Sequence, residues 1–342
     1  MNEAETYGLY TLANDAVYDQ LVALLNSIEK NISPTIPICI IPYNDNMDLV
    51  NAEIISRPQV SLFTNRDALK LWDDFVNEVW VAHPKANAPK RERPGWYKGF
   101  VHRKFAAFQG DFDRFIFFDA DSLAMKPVDD IFAHLDNYDL VFNDWEHKKR
   151  DDIPEIVIED LARRVSQNPD DIYPQLHCDS FFGAKREAVN AEMLDRLKTF
   201  LIDEEGVHCV RDRCWWSTSG LFSVMTVREG FNIFNFTRSP NAQERTGNCA
   251  DADPFVDIDG VLHNEEGLKP IHRIHYMNYS SANFARLCKG EDVGIRYQDT
   301  FLKYRFLNDP DKIPKELVEA SAITKAMRKT DKAYKKVKRI IG

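Results

Sequence analysis

No two cysteines of this chain sit close enough in sequence to make a C-x-x-C pair. Its six (Cys39, Cys178, Cys209, Cys214, Cys249 and Cys288) are scattered along 342 residues. That excludes a zinc ribbon or a disulfide framework and suits reduced thiols in a reducing compartment. A G-x-G-x-x-G loop is missing, and so is a Walker A loop, so the first strand does not read as a dinucleotide or P-loop site. No apolar run approaches the roughly 20 residues that a membrane span needs. The N-terminus, Met1-Asn2-Glu3-Ala4-Glu5, is acidic, whereas a secretory leader opens basic and turns apolar. N-x-S/T matches at Asn31, Asn235 and Asn278 carry little meaning without export. Basic excess is absent as well: 44 Lys and Arg face 54 Asp and Glu, a net charge of -10. A phosphate backbone needs a basic face, so nucleic acid is excluded as the main partner. These absences predict a cytoplasmic protein.

Apolar side chains are present in the ordinary globular proportion, 44% against 29% charged. The length allows about two domains, although large α/β sheets often stay single. One stretch stands out. Phe115-Ile116-Phe117-Phe118 runs straight into Asp119-Ala120-Asp121-Ser122. Four apolar residues in a row predict a buried strand of a parallel sheet. In extended backbone, residues two apart share a side, so Asp119 and Asp121 are expected to point together. Ligands of open α/β sheets bind at the carboxyl ends of the strands. Two hard oxygen donors there suit Mg²⁺ or Mn²⁺. The plain alternative is a strand that ends in a solvated, helix-capping turn.

The rest of the chain supplies a frame. Residues 7–12, 36–42 and 60–63 read as strands. Ala13-Asn14-Asp15 is a turn and N-cap before a helix with Val17, Leu21, Leu24, Leu25 and Ile28 at helical spacing. Helices are predicted over 66–80 and 100–109, with a Pro- and Lys/Arg-rich loop between them. This βαβ rhythm predicts a parallel, doubly wound sheet over the first 140 residues or so. Leu140-Val141-Phe142 is followed by a highly charged stretch, read as a mostly helical surface insertion over 144–176. Beyond it come a core segment from Cys178 to Gly183, a helix over 186–201, a Trp-rich segment over 214–227 and a strand over 231–236. Residues 238–268 read as polar loop, and 270–277 as a last strand ending near His275. From Ile313 the composition is helical, which makes 306–342 a C-terminal helical tail behind a domain over 1–305. The last 18 residues hold eight basic side chains and the single acid Asp331. Two readings of that tail are open: a solvated helix, or peripheral contact with an anionic membrane surface.

Two further features point to a diphosphate. Lys85, Lys90, Arg91, Arg93, Lys98, Arg103 and Lys104 cluster just upstream of the Asp-Ala-Asp strand, opposed by Glu92. Phosphoryl oxygens and a leaving diphosphate need such charge, and Arg103 and Lys104 lie nearest the strand. A solvated loop accounts for several of the seven. His275 offers an imidazole that would complete an Asp/Asp/His set for Mn²⁺. His272 and His275 stand three apart, on opposite sides of a strand, so they do not share one metal.

Taken in order, these segments resemble glycogenin-type (family 8-like) GT-A glycosyltransferases. The matching pieces are Leu12-Ala13-Asn14-Asp15-Ala16, His102-Arg103-Lys104-Phe105, Phe115 to Asp121 with Met125 to Phe132, Asp179-Ser180-Phe181-Phe182-Gly183, and Lys269 to Tyr276. The resemblance spans about residues 7–280. It implies an α/β GT-A fold, a doubly wound and mostly parallel sheet flanked by helices. It also implies a retaining transferase that uses Mn²⁺ (or Mg²⁺) and a nucleotide-sugar donor, such as a UDP-sugar, on a glycan, lipid or protein acceptor. By the same resemblance Asp119, Asp121 and His275 hold the metal, with Asp119 also near the ribose. Lys104, beside Arg103, holds the phosphates, Asn14 and Asp15 lie by base and ribose, and Asp179 faces the donor sugar. Tyr97, Trp96, Trp215 and Trp216 are either sugar-stacking rings or core.

Three departures from the family pattern stand out. Ala13 replaces a hydroxyl residue, Phe181 replaces a glycine after Ser180, and Ser217-Thr218-Ser219-Gly220 stands where an Asp-Gln pair is usual. The missing Asp-Gln pair gives weight to a second reading, a GT-A fold that binds without catalysing. A Mg²⁺-dependent Asp-x-Asp phosphatase is disfavoured, because its motif opens the chain and continues into Gly-Thr or Gly-Val. A nucleotidyltransferase would need a Gly-rich basic loop after the first strand.

Overall fold

A computed structural model describes residues 5–89, 92–143, 155–204, 206–211, 214–238 and 247–321. Its centre is a seven-stranded sheet. The strands are β1 (Tyr7–Ala13), β2 (Ile38–Pro42), β3 (Val60–Leu62), β4 (Arg114–Asp119), β6 (Leu140–Phe142), β7 (Phe181–Lys185) and β8 (Ile233–Asn235), in the order β3-β2-β1-β4-β7-β6-β8. All neighbours pair in parallel except β7, which is antiparallel to both β4 and β6. The fold is therefore mixed α/β with a mostly parallel sheet, as the βαβ rhythm predicts for its first four strands.

Alternation along the strands splits the core in two. Phe115 and Phe117 join one cluster with Tyr10, Trp72, Phe105 and Phe108. Ile116 and Phe118 join the other with Leu9, Leu21, Leu24 and Leu25. Helix α1 (Tyr18–Asn31) covers the second face. Helices α3 (Arg66–Ala82), α7 (Ala191–Lys198) and α8 (Thr218–Arg228), with the 3₁₀ helix Val101–Gln109, cover the first. Helix α2 (Asp48–Ile55) follows the turn after β2 and was not expected; Val50 is its one buried residue. Short α4 (Asp129–His134) precedes β6.

A smaller two-stranded unit carries the end of the chain back. β5 (Ser122–Ala124) leaves the main sheet after a turn at Ala120–Asp121 and pairs antiparallel with β11 (Arg273–His275). A third apolar cluster joins Leu123, Met125 and Ile274 to α9 (Ser281–Leu287) and α10 (Gln298–Arg305). Helix α10 packs on α1, where Asn26 Nδ2 donates to Tyr304 O at 2.8 Å and Arg305 pairs with Asp19 at 2.8 Å.

Several expectations change. The charged segment is not all surface: α5 (Ile158–Val165) and α6 (Pro169–Ile172) bury Ile158, Leu161, Ala162 and Ile172. The apolar residues of α5 fall at i, i+3 and i+4, a stripe under a charged outer face. Residues 144–154 lie outside the described residues. Helix α7 starts late, at the Asn190 cap, and runs into a π-turn over Thr199–Asp203. The polar 238–268 stretch contains a hairpin, β9 (Val256–Ile258) and β10 (Val261–His263), with an exposed first strand. The tail from Ile313 reads as helix, but residues 313–321 carry strand β13 (Val318–Glu319), paired with β12 (Glu291–Asp292). Residues 322–342, and with them the basic run, lie outside the described residues, as do Lys90 and Arg91. Among the described residues no helix is long and apolar enough to cross a membrane.

Candidate active site

The chain winds from β1 outward to β2 and β3, then returns to place β4 on the other side of β1. The winding reverses between β1 and β4, and such a switch point opens a crevice at the carboxyl ends of the strands. Asp119 closes β4 there, in register with Leu12 of β1. It continues the face of Phe115 and Phe117, which is the face of the Val101–Gln109 helix, and so it meets Lys104.

Asp121 does not reach Asp119 through extended backbone. The chain turns at Ala120–Asp121, and Tyr276 N donates to Asp121 O at 2.9 Å. The β5–β11 pair sets His275 opposite Ser122. Donor atoms of Asp119, Asp121 and His275 then lie within 4.8 Å of one another. His275 Nε2 is 3.2 Å from Asp121 Oδ1 and 4.0 Å from Asp119 Oδ2. Octahedral Mg²⁺ with bonds of about 2.1 Å spaces adjacent ligands by about 3 Å. Two carboxylates and one imidazole suit Mn²⁺ in hardness and geometry.

Charge supports the same fit. Asp119, Asp121 and Asp179 gather around one ammonium, that of Lys104. The amine is 2.9 Å from Asp119 Oδ1, 3.4 Å from Asp179 Oδ2 and 3.3 Å from Asp179 O, and Lys104 is buried. Burial pulls its pKa down, but the two carboxylates outweigh burial and hold it well above the ordinary lysine value. Burial pushes Asp119 upward; Lys104 opposes this, while Asp121 and Asp179 add to it. Asp121 is about a quarter exposed (24%), and His275, then Arg273 and Lys104, outweigh its partial burial and bring it below the usual carboxylate range. Three carboxylates, Asp119, Asp121 and Asp179, thus share the site with the cations of Lys104 and Arg273, and a dication would offset the remaining negative charge. His275 Nδ1 has no hydrogen-bond partner among the described residues.

Asp179 enters from β7, the reversed strand, so the start of that strand lies beside the end of β4. Asp119 N donates to Ser180 O at 2.9 Å. Ser219 Oγ donates to Asp179 Oδ1 at 2.7 Å from the first turn of α8. Ser217 caps that helix and donates to Glu155, whose carboxyl burial pushes up. The Ser-Thr-Ser-Gly segment therefore brings two carboxylates, Asp179 and Glu155, to one helix N-terminus, where its dipole favours them. Glu155 was missed because it follows a charged run that reads as surface.

The other expected residues are placed as follows. Asn14 is buried; its Oδ1 accepts from Ala16 N at 3.1 Å, and its Nδ2 donates to Asn44 at 3.1 Å. Asp15 Oδ1 accepts from Leu49 N at 3.0 Å and Val50 N at 3.1 Å, in the first turn of α2. Arg103 turns away from Lys104, because neighbours on a 3₁₀ helix diverge by a third of a turn. It pairs with Asp73 at 2.7 Å, and this pairing, with His102, outweighs burial and pulls Asp73 down to about 2. Arg103 and Asp73 line a cavity of about 660 Å³ at the ends of β2 and β3, with Asn44, Asn51 and Phe63. The second large cavity, about 570 Å³, lies away from this edge between α1, α2 and α10. Neither is lined by the Asp/Asp/His cluster. Trp216 is buried core, while Trp96 is 38% exposed with its indole N–H on Trp216 O at 2.5 Å. Arg273, fully buried beside the cluster, was also missed.

No protein-family model matches the chain, and no curated protein matches it in sequence. Among solved structures the chain is similar to the galactosyltransferase LgtC in complex with donor and acceptor sugar analogues. That pair shares 10% identity at a TM-score of 0.49 over 87% of this chain and 95% of LgtC. The bifunctional glycosyltransferase WbbM shares 13% identity at a TM-score of 0.48, over 89% of this chain. The chain spans about half the length of WbbM, 50%. Mouse xyloside xylosyltransferase 1 shares 9% at a TM-score of 0.43, over 66% of this chain and 82% of its own. Overlaps of this extent carry no argument about chemistry, which rests on the side chains.

Proposed function

We propose that this chain is a metal-dependent GT-A-type glycosyltransferase. It moves a sugar from a nucleoside-diphosphate donor, a UDP-sugar, to a glycan, lipid or protein acceptor. The observation that carries the reading is the convergence of Asp119, Asp121 and His275 at the switch point, with Lys104 behind them.

Asp119, Asp121 and His275 would hold Mn²⁺ or Mg²⁺, which when bound supplies positive charge to the diphosphate oxygens. Lys104 stays an ammonium at working pH and presents a fixed charge beside the leaving diphosphate. Asn14, Asp15 and Arg103 lie along the nucleoside side, where Arg103 sits in the wall of the 660 Å³ cavity. Asp179 lies on the donor-sugar side, held by Ser219. Retention of configuration comes from the resemblance, and the anomer of the product read by NMR decides it.

The test is hydrolysis and transfer with a panel of UDP- and GDP-sugars in Mn²⁺. Wild-type protein is expected to turn over at least one donor, EDTA to stop it, and Asp121→Ala to lower the rate at least about 100-fold. If no donor is bound or hydrolysed, and Asp121→Ala behaves as wild type, the reading falls. Binding without turnover would make the chain a donor-binding protein instead.

A further inference from the structure

Arg273 has side-chain contacts with the residues that follow Asp121 and Asp179 and with the end of β6. It is fully buried on β11, two residues before His275, and so lies on the same side of that strand. Its Nη1 donates to Ser122 Oγ at 3.2 Å, and Ser122 follows Asp121. One Nη2 bond goes to Ser180 Oγ at 2.8 Å. Ser180 follows Asp179 and accepts the Asp119 amide through its own carbonyl at 2.9 Å. Another Nη2 bond reaches Asn143 O at 3.3 Å, at the end of β6. The guanidinium carbon lies 5.2 Å from the centroid of the Phe181 ring. Four chain segments, from two different sheets, therefore meet on one planar cation.

We infer that Arg273 is the positioning residue of this site: it fixes the β5–β11 unit, which bears Asp121 and His275, against the main sheet, which bears Asp119 and Asp179. The inference rests on the proposed metal site. The join needs such a tie. Asp119 ends one sheet and Asp121, in the turn, leads into another, and among the described residues the two sheets share no ladder at that point. Without a fixed angle between them, the spacing of the two carboxylates would vary. An arginine suits the task because its five donors leave in a fixed plane, so three partners can be held at once. A lysine keeps the charge and loses the fork. Arg273 acts through Ser122 and Ser180 and is not itself a ligand.

The test measures Mn²⁺ affinity and the Mn²⁺ EPR spectrum of purified full-length protein, well below its melting temperature. Arg273→Lys is expected to weaken Mn²⁺ about 10- to 100-fold, the usual effect of losing an outer-shell partner, and to broaden the EPR lines. Ser180→Ala and Ser122→Ala each remove one arm and keep the arginine; each is expected to weaken Mn²⁺ several-fold. These two serve as the measurement if Arg273→Lys does not fold. Affinity within twofold of wild type with an unchanged spectrum, in Arg273→Lys or in both serine variants, overturns the inference alone. Failure of wild-type protein to bind Mn²⁺ overturns it together with the metal reading. Protein that binds Mn²⁺ yet hydrolyses no sugar nucleotide leaves the inference standing and overturns only the proposed function.

Discussion

Lys104 shows what one buried charge does here. Its ammonium is shared between Asp119 and Asp179, and all three lie largely out of water. Breaking a buried pair by removing one partner costs about 3–5 kcal/mol, because the orphaned charge stays buried. Lys104→Met is therefore expected to lose about that much stability in EDTA, measured by chemical denaturation. Mn²⁺ is expected to narrow the gap, since loss of the ammonium leaves the carboxylates more negative, so the ion binds the variant more tightly and stabilises it more than wild type. Equal stability of variant and wild type in EDTA would sink this account. Residue types told part of this story in advance. Two aspartates ending an apolar run, and a lysine on the preceding helix, were legible as residue types, although the turn at Ala120–Asp121 and the β5–β11 pair, not extended backbone, set Asp121 beside Asp119. Arg273 and Glu155 were not, because a charged side chain in a short strand or after a charged run carries no sign of burial in the sequence. Asp15 and Arg103 read as ligand-facing, yet each carries a structural contact that only the position of α2 and Asp73 reveals.

Elements whose apolar residues repeat cleanly were readable: β1, β2, β4, α1 and α3 fall within a few residues of expectation. Those that failed lacked contrast. Helix α2 buries only Val50, and the β9–β10 hairpin leaves Val256 and Ile258 exposed. The reversal of β7 leaves no trace in composition, because both strand directions bury the same run. The loop after α3 gives a pH-dependent element. His83 stacks on Trp215 at 5.0 Å, and its Nδ1 accepts from Lys85 N at 2.9 Å. Burial, then the Lys85 charge, pulls its pKa down to about 4. The unfolded histidine titrates near about 6.5. Between these values the unfolded chain takes up a proton that the folded chain refuses. Stability from this site is thus intact above about pH 6.5 and declines as pH falls toward about 4. His83→Phe keeps a ring and removes the proton, so the denaturation midpoint of the variant should vary less over that interval than that of wild type. Identical slopes would refute the assignment.

Among the described residues, three apolar clusters support one edge. Two flank the sheet, and the third binds the last helices onto α1 and thereby delivers His275. The polar wall of the 570 Å³ cavity belongs to this clamp: Arg57 Nη2 donates to Asn26 at 2.7 Å, and Asn308 bonds the same oxygen at 3.2 Å. The six thiols report on this packing. Burial, foremost, pushes Cys39, Cys209, Cys249 and Cys288 up to about 12. A maleimide reacts with thiolate, so near neutral pH those four should label slowly in the native protein. Cys178 and Cys214 are partly exposed, one directly before Asp179 and the other directly before Trp215. Mass spectrometry after a short labelling pulse should find adducts at these two first, and comparable adducts at Cys39 would contradict the packing. The native chain thus carries a chemical handle directly before Asp179, where a dye can be attached without inserting a single new residue to test whether the proposed donor binds.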